Sequence, residues 1–154
     1  MKSISRHVFP LALLVFLQAC SGGGSGPTTP SAQIPNVVGT YTGPLTASVN
    51  GVVLMTFDAR FVVGQTDAQV TVTGSLSLGG QPIALFPISS TVNTAGVVNA
   101  PNSATTATGS TDATCGLLTV TDTTLTFSGN ILVYLEHVQT GSCGVYTFAG
   151  TLTK

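Results

Sequence analysis

The side chains that could act as acids, bases or metal ligands are few in this chain of 154 residues. Beyond residue 20 the candidate groups are Asp58, Asp67, Asp112, Asp122, Glu136, His137 and Arg60. Neighbouring residues of a β-strand face opposite sides of the sheet, so a regular strand cannot direct both Glu136 and His137 into one cavity. His137 also lacks a second histidine at HxH or HExxH spacing, which zinc sites use. We therefore predict no catalytic residues, no metal site and no cofactor, and a protein that is not an enzyme.

The charged residues indicate which partners to expect. Asp58 and Arg60 lie two positions apart and share the polar face of a predicted strand, where we expect an exposed ion pair. Beyond residue 20 the only other Lys or Arg is Lys154, against five acidic residues. This weakly acidic balance provides no basic surface for nucleic acid or anionic lipid, so nucleic acid is not expected as a partner.

The cysteines are Cys20, Cys115 and Cys143. If Cys20 carries a lipid, Cys115 and Cys143 remain as an even pair in an exported chain, which favours a disulfide. A redox or metal-binding pair is the alternative, but neither cysteine has CxxC spacing and no histidine lies close in sequence to Cys115. We predict a structural bridge between Cys115 and Cys143.

The first twenty residues have the organisation of an export signal. Lys2 and Arg6 form a positive start, residues 8–17 form an apolar segment too short to span a bilayer, and Leu17-Gln18-Ala19-Cys20 follows. These four residues resemble the bacterial lipobox, which implies that residues 1–19 are a lipoprotein signal peptide and that the Cys20 thiol receives diacylglycerol. The alternative is an ordinary secretory signal cut near Ala19, which leaves Cys20 as a free thiol.

The lipobox resemblance also implies a location. A lipoprotein of this kind is held on a membrane outside the cytoplasm by acyl chains such as palmitate, and about 0.8 kcal/mol per buried CH₂ makes two or three chains a stable anchor. Ser21 stands where lipoproteins retained in the inner membrane commonly carry Asp. We therefore expect the outer membrane, on its periplasmic or its surface face, and in a host with a single membrane the outer face of the cell.

Residues 20–36 are predicted to be a flexible tether, because the segment is rich in Gly, Ser, Pro and Thr and has hardly any large apolar side chain. Residues 37–154 are predicted to form one β domain. Apolar residues recur there at every second position, which is typical of half-buried strands. The first inward set is Val37, Gly39, Tyr41, Gly43, Leu45, Ala47 and Val49, and the second is Val53, Met55, Phe57, Ala59, Phe61 and Val63.

Turn residues separate the predicted strands. Asn50-Gly51 predicts a type I′ hairpin and Gly79-Gly80 a second turn, while Pro87, inside a strand at residues 82–92, indicates an edge or a bulge. A short strand at residues 96–99 is followed by a long loop up to residue 114. Three more strands are predicted at residues 115–121, 124–138 and 144–153. The middle one should carry Leu125, Phe127, Ile131, Val133 and Leu135 on one face.

This pattern predicts an all-β fold, an antiparallel meander of about eight strands that closes as an up-and-down barrel, with a two-sheet sandwich as the alternative. Gly39-Thr40-Tyr41-Thr42-Gly43 resembles the first strand of lipocalin-like and avidin-like, or calycin-like, barrels. In a barrel the inner face could line a lumen for a small apolar ligand. The candidate lining residues are Tyr41, Met55, Phe57, Phe61, Phe127 and Phe148.

Two functions are therefore expected. The first is a membrane-anchored envelope lipoprotein with a structural role or an interaction with an envelope protein or glycan, through the Thr-rich outer face or the loop at residues 93–114. The second is the binding of a small apolar ligand inside the barrel. A hollow interior would favour the second function, whereas a filled interior would favour the outer face.

Overall fold

The computed structural model describes residues 32–101, 111–112 and 115–154, so the predicted signal peptide, Cys20 and the tether up to residue 31 lie outside the described residues. The described chain forms an antiparallel β-sheet without any helix. Its strands are β1 (Gly39–Val49), β2 (Val52–Thr66), β3 (Gln69–Leu78), β4 (Gln81–Thr91), β5 (Val97–Pro101), β6 (Thr111–Asp112), β7 (Gly116–Ser128), β8 (Ile131–Thr140) and β9 (Val145–Thr153). The order is β4-β3-β2-β1-β9-β8-β7-β5, with β6 paired to β7. The predicted all-β antiparallel meander is confirmed.

The sheet curls so that its inner face packs against itself. Phe61 on β2 stacks on Tyr134 of β8 with ring centroids 5.0 Å apart, although β1 and β9 lie between these two strands. The edge strands β4 and β5 approach each other through a single bridge between Val92 and Val98. In the described part of the chain no ladder of backbone hydrogen bonds joins β4 to β5. The meander therefore curves as a barrel does, but the sheet is not closed.

The predicted turns are present. Asn50 and Gly51 have φ of 50° and 78°, the left-handed values that a type I′ hairpin requires, and they connect β1 to β2. Gly79-Gly80 connects β3 to β4 in the same way, with φ of 57° and 82°. Pro87 lies on edge strand β4, opposite a register shift between Val72 and Gly74 of β3. Pro87 was predicted to mark an edge or a bulge, and it lies on an edge strand at an irregular register.

The predicted strand at residues 124–138 is wrong. A turn at Gly129-Asn130, with Gly129 at φ 58°, separates β7 from β8, and Ser128 pairs with Ile131. The turn changes which residues of β8 face inward. The inner positions are Leu132, Tyr134 and Val138, which are buried, whereas Ile131 and Val133 are 42% and 45% exposed.

The end of the sheet that contains the turns at residues 66–69 and 128–131 is densely packed, and we call it the closed end. Residues 32–38 lie against it. Ile34 packs on the core, Gln65 Nε2 donates to the Pro35 carbonyl at 3.0 Å, and the Val37 amide donates to Gln65 Oε1 at 2.8 Å. Inside, the buried Tyr41 hydroxyl donates to the Val37 carbonyl at 3.0 Å. The last residues of the predicted tether, 32–36, therefore contact the β domain.

Candidate binding cavity

The opposite end of the sheet is hollow, and we call it the open end. It contains the turns at residues 49–52, 78–81 and 140–145 and the start of β7. Two adjoining cavities of about 180 and 220 Å³ lie here on the inner face. The first is lined by Ala47, Met55, Cys115, Leu118, Val138, Tyr146 and Phe148. The second is lined by Leu45, Phe57, Leu76, Ile83, Leu118, Tyr134, Glu136, Val138 and Phe148.

The cavities share a wall, because Leu118, Val138 and Phe148 line both. Each is larger than the apolar cavity of about 150 Å³ that holds benzene in an engineered protein. Almost every lining side chain is apolar. The pair therefore has the volume and the chemistry to hold a small apolar molecule.

The space arises from the sizes of the inward residues along each strand. Near the closed end β1 places Tyr41 inward, whose ring packs edge-on against Phe127 at 5.6 Å. Near the open end the same strand places Ala47 inward, paired with Met55 on β2 and Phe148 on β9. Since Ala47 has only a methyl group, it leaves unfilled the volume that Tyr41 occupies at the other end.

The residues predicted to line a lumen fall into two groups. Tyr41, Phe61 and Phe127 are at most 6% exposed and fill the closed end with their ring contacts. The other three, Met55, Phe57 and Phe148, line the cavities. The Phe57 and Phe148 rings lie 6.3 Å apart. Half of the predicted lining set therefore belongs to a packed core and half to a hollow one.

Exposed apolar side chains surround the open end, and we call them the apolar rim. Its members are Val52, Val53, Leu54, Met55, Leu78, Ile83, Leu117 and Val145, each between 40% and 64% exposed. Residues 49–55, 78–83 and 140–145 contain no Asp, Glu, Lys or Arg. Contiguous exposed apolar surface of this kind usually marks a place where a ligand, a membrane or a partner binds.

The Cys115–Cys143 disulfide lies at the same end and confirms the predicted pairing. It links the β8–β9 turn to the start of β7. The Ser142 amide donates to the Cys115 carbonyl at 3.0 Å, and the Cys143 amide donates to Thr140 Oγ1 at 2.9 Å. Since Cys115 lines the first cavity, the bridge forms part of the cavity wall.

Among the described side chains, Glu136 is the acidic one on the cavity wall. Its Oε2 accepts hydrogen bonds from the Tyr134 hydroxyl at 2.6 Å and from Thr123 Oγ1 at 3.1 Å. Burial raises the pKa of the Glu136 carboxyl, these two hydrogen bonds and the nearby His137 oppose the rise, and the Asp122 charge adds to it. Burial also raises the pKa of Tyr134 well above its ordinary value, and the neighbouring Glu136 charge adds to this effect.

Sequence reasoning missed Glu136 as a cavity residue, because it assigned Leu135 to the inner face. The turn dipeptide Gly129-Asn130 was the signal that could have corrected the assignment, since Gly-Asn between two apolar runs is typical of a hairpin. The prediction that Glu136 and His137 face opposite sides is confirmed. His137 Nδ1 lies 2.8 Å from Asp122 Oδ1 on the outer face, where the two side chains are 34% and 53% exposed.

The predicted ion pair between Asp58 and Arg60 is wrong. Both side chains face outward, but within the described ranges the one ion pair closer than 4.0 Å is His137–Asp122. On β3, Asp58 faces Ser77 and Arg60 faces Ser75. In water an ion pair gains little free energy, so two exposed side chains on one strand have no strong reason to meet. Asp67 lies at the β2–β3 turn of the closed end, away from the cavity, whereas Asp112 belongs to β6, where it pairs with Gly116 at the start of β7.

No protein family, curated protein or solved structure matches the chain. Among residues 32–101, 111–112 and 115–154, no three His, Cys, Asp or Glu side chains lie close enough together to hold a metal ion. That part of the chain also has no helix long and apolar enough to cross a bilayer. The geometry of the open end is therefore the basis for assigning a function.

Proposed function

We propose that the mature protein is a lipid-anchored envelope protein whose β domain binds a small apolar molecule at the open end. The observation that carries this proposal is the pair of adjoining cavities of about 180 and 220 Å³, lined almost entirely by apolar side chains. A packed sheet would have filled this volume with side chains, because empty space costs contact energy. A ligand that occupies the cavities restores those contacts.

The apolar rim supports the same function. A ligand that prefers hydrocarbon to water needs a path of apolar surface into the cavity, and Met55 and Ile83 belong both to the rim and to the cavity lining. Residues 32–38 lie against the closed end, so these residues do not cover the mouth of the cavity.

The anchor is proposed from the sequence. Leu17-Gln18-Ala19-Cys20 supports lipid attachment at Cys20, and Ser21 supports an outer-membrane location on the periplasmic or surface face. Radiolabelled palmitate should enter the wild-type chain and should not enter Cys20→Ala, which should also leave the membrane fraction. Palmitate that fails to enter the wild type, or a Cys20→Ala chain that stays membrane-bound, would contradict the anchor.

The cavity can be tested through its methionine. The chain contains two methionines, Met1 and Met55, and the signal peptide carries Met1 away, so a methyl-labelled mature chain reports Met55 alone. We expect neutral decanol to shift the Met55 methyl resonance in a saturable way when the mature chain is held in phosphatidylcholine nanodiscs. An unchanged resonance up to the solubility limit of decanol would refute apolar binding in the cavity.

A matched pair of variants separates the cavity from the general surface. Leu118 on β7 lines both cavities, whereas Val133 on β8 is 45% exposed on the outer face and lies outside the apolar rim. Leu118→Phe adds bulk to the shared wall and should weaken decanol binding about four- to fifteenfold, since losing one or two buried CH₂ groups costs about 0.8 kcal/mol each. Val133→Phe should leave the affinity unchanged.

A second candidate function is an interaction with an envelope glycan or protein through the outer face. The observation that favours it is a polar groove of about 360 Å³ across β1, β2 and β3. Its lining includes Thr42, Asp58, Arg60, Ser75 and Ser77. The Thr and Ser hydroxyl groups, together with one acidic and one basic side chain, could form hydrogen bonds with the hydroxyl groups of a sugar. Retention of the protein on a glycan column, lost in Arg60→Ala, would support this function, and equal retention of both proteins would contradict it.

A further inference from the structure

Within the described residues no Lys, Arg or His side chain is hydrogen-bonded to Glu136, and the nearest basic group that acts on its charge is His137 on the opposite face of β8. Residues 32–154 contain two Lys or Arg residues, Arg60 and Lys154, and one histidine, His137. Arg60 points outward from β2, and His137 is paired with Asp122 on the outer face. Lys154 lies at the closed end, with its Nζ 5.7 Å from the centre of the Tyr41 ring. None of the three reaches the cavity wall where Glu136 lies.

One oxygen of the carboxylate is left for a ligand. Tyr134 and Thr123 both donate to Oε2. In the described parts of the chain no group donates to Oε1 within hydrogen-bonding distance. A half-buried carboxylate gains stability from further donors, and a charged donor stabilises it more than a neutral one.

We infer that the cavity takes an apolar molecule that carries one protonated amine, with the hydrocarbon part against the apolar walls and the ammonium group on Glu136. This inference rests on the proposed function, because it specifies the chemical class of the ligand in that same cavity. The ammonium supplies the positive charge that the protein does not place there. A fatty acid would bring a second negative charge to Glu136, and a fatty alcohol would bring a donor without charge.

Two isotope labels, each at a single residue, allow the amine preference to be tested separately from binding in the cavity. Glu136 is the only glutamate of the chain, so a chain labelled at the glutamate carboxyl carbon gives one resonance, from Glu136. Met55 gives the methyl resonance that reports occupancy of the cavity. The full mature chain in neutral phosphatidylcholine nanodiscs is titrated with decylamine, decanol and decanoate, and both resonances are followed at each step.

We expect decylamine, decanol and decanoate to give three different results. Decylamine should shift both resonances and lower the pH midpoint of the Glu136 carboxyl, because the ammonium favours the ionised form. Decanol should shift Met55 without lowering that midpoint, and decanoate should bind weakest. Decylamine should bind about tenfold more tightly than decanol. Glu136→Gln should remove this preference and leave decanol binding intact, whereas Asp67→Asn, at the β2–β3 turn of the closed end, should preserve it.

The outcomes are distinguishable. Equal affinities for decylamine and decanol, in the wild type and in Glu136→Gln alike, would overturn the amine preference while the proposed apolar binding stands. A decylamine preference that persists in Glu136→Gln would also overturn it, since another group would then hold the ammonium. No response of Met55 to any of the three compounds would refute the proposed function itself.

Discussion

Removal of the Cys115–Cys143 bridge should lower the thermal stability of the domain by an amount that the closed loop determines. The two cysteines are separated by 28 positions in sequence. On the chain-entropy relation, a loop of that length restricts the unfolded chain by about 3.6 kcal/mol at 25 °C. Unfolding entropy of about 2 cal/mol/K per residue gives roughly 0.25 kcal/mol/K for residues 32–154. The melting temperature should therefore fall by about 14 °C.

The assay is thermal unfolding followed by circular dichroism on the mature chain, with Cys115→Ala/Cys143→Ala compared with the wild type before and after reduction. Reduction should lower the wild-type midpoint toward that of the double variant and should not change the double variant. Both folded proteins should give the same β-sheet circular dichroism spectrum at 25 °C, since hydrogen bonds such as Cys143 N to Thr140 Oγ1 hold the turn without the bridge. A fall of less than about 4 °C would refute the loop-entropy reasoning, because it would show that the unfolded chain is hardly constrained by the bridge.

Two further predictions concern β1 and the cavity. A Cβ at Gly150 would lie 2.4 Å from the Pro44 carbonyl oxygen and 3.1 Å from Leu45 Cα, so Gly150→Ala should push β9 from β1 and lower the free energy of unfolding by about 1 to 3 kcal/mol. Denaturant unfolding measures the free energy of unfolding. In the control variant Gly64→Ala the nearest atom to the added Cβ is 3.9 Å away, so its stability should stay close to wild type. Equal losses of stability in the two variants would contradict the steric explanation. Since burial raises the pKa of Glu136 in the folded state, its contribution to stability is present below the ordinary glutamate pKa, about 4.3, and is lost as the pH rises through the raised folded value. Stability of the wild type relative to Glu136→Gln should therefore fall across that window, and parallel pH profiles would refute this.

The sequence predicted the parts of the fold that depend on local chemistry. Asn50-Gly51 identified the first hairpin because both residues tolerate positive φ, and the alternation of Tyr41, Leu45 and Ala47 identified the inner face of β1. Pro87 identified an irregular edge strand because it cannot donate a hydrogen bond to a neighbouring strand. Each of these inferences depends on only a few consecutive residues.

The sequence was insufficient for predicting which residues face inward after a turn. Phe127 and Ile131 have the same parity, so apolar alternation continued across Gly129-Asn130 and concealed the turn. The error moved Glu136 to the wrong side of the sheet and hid its place on the cavity wall. Closure of the sheet and the volume of the cavities depend on contacts between distant strands, such as Phe61 with Tyr134, which a one-dimensional pattern does not contain.

The solitary surface contact between His137 and Asp122 has a consequence for the surroundings that the protein can tolerate. Dissolved ions weaken proteins chiefly by screening attractions between charged side chains, and elsewhere in the described chain the curled sheet relies on apolar packing, backbone hydrogen bonds and one covalent link. Charge screening should therefore change the free energy of unfolding very little, and any dependence on concentrated salt should follow the strength of apolar burial instead.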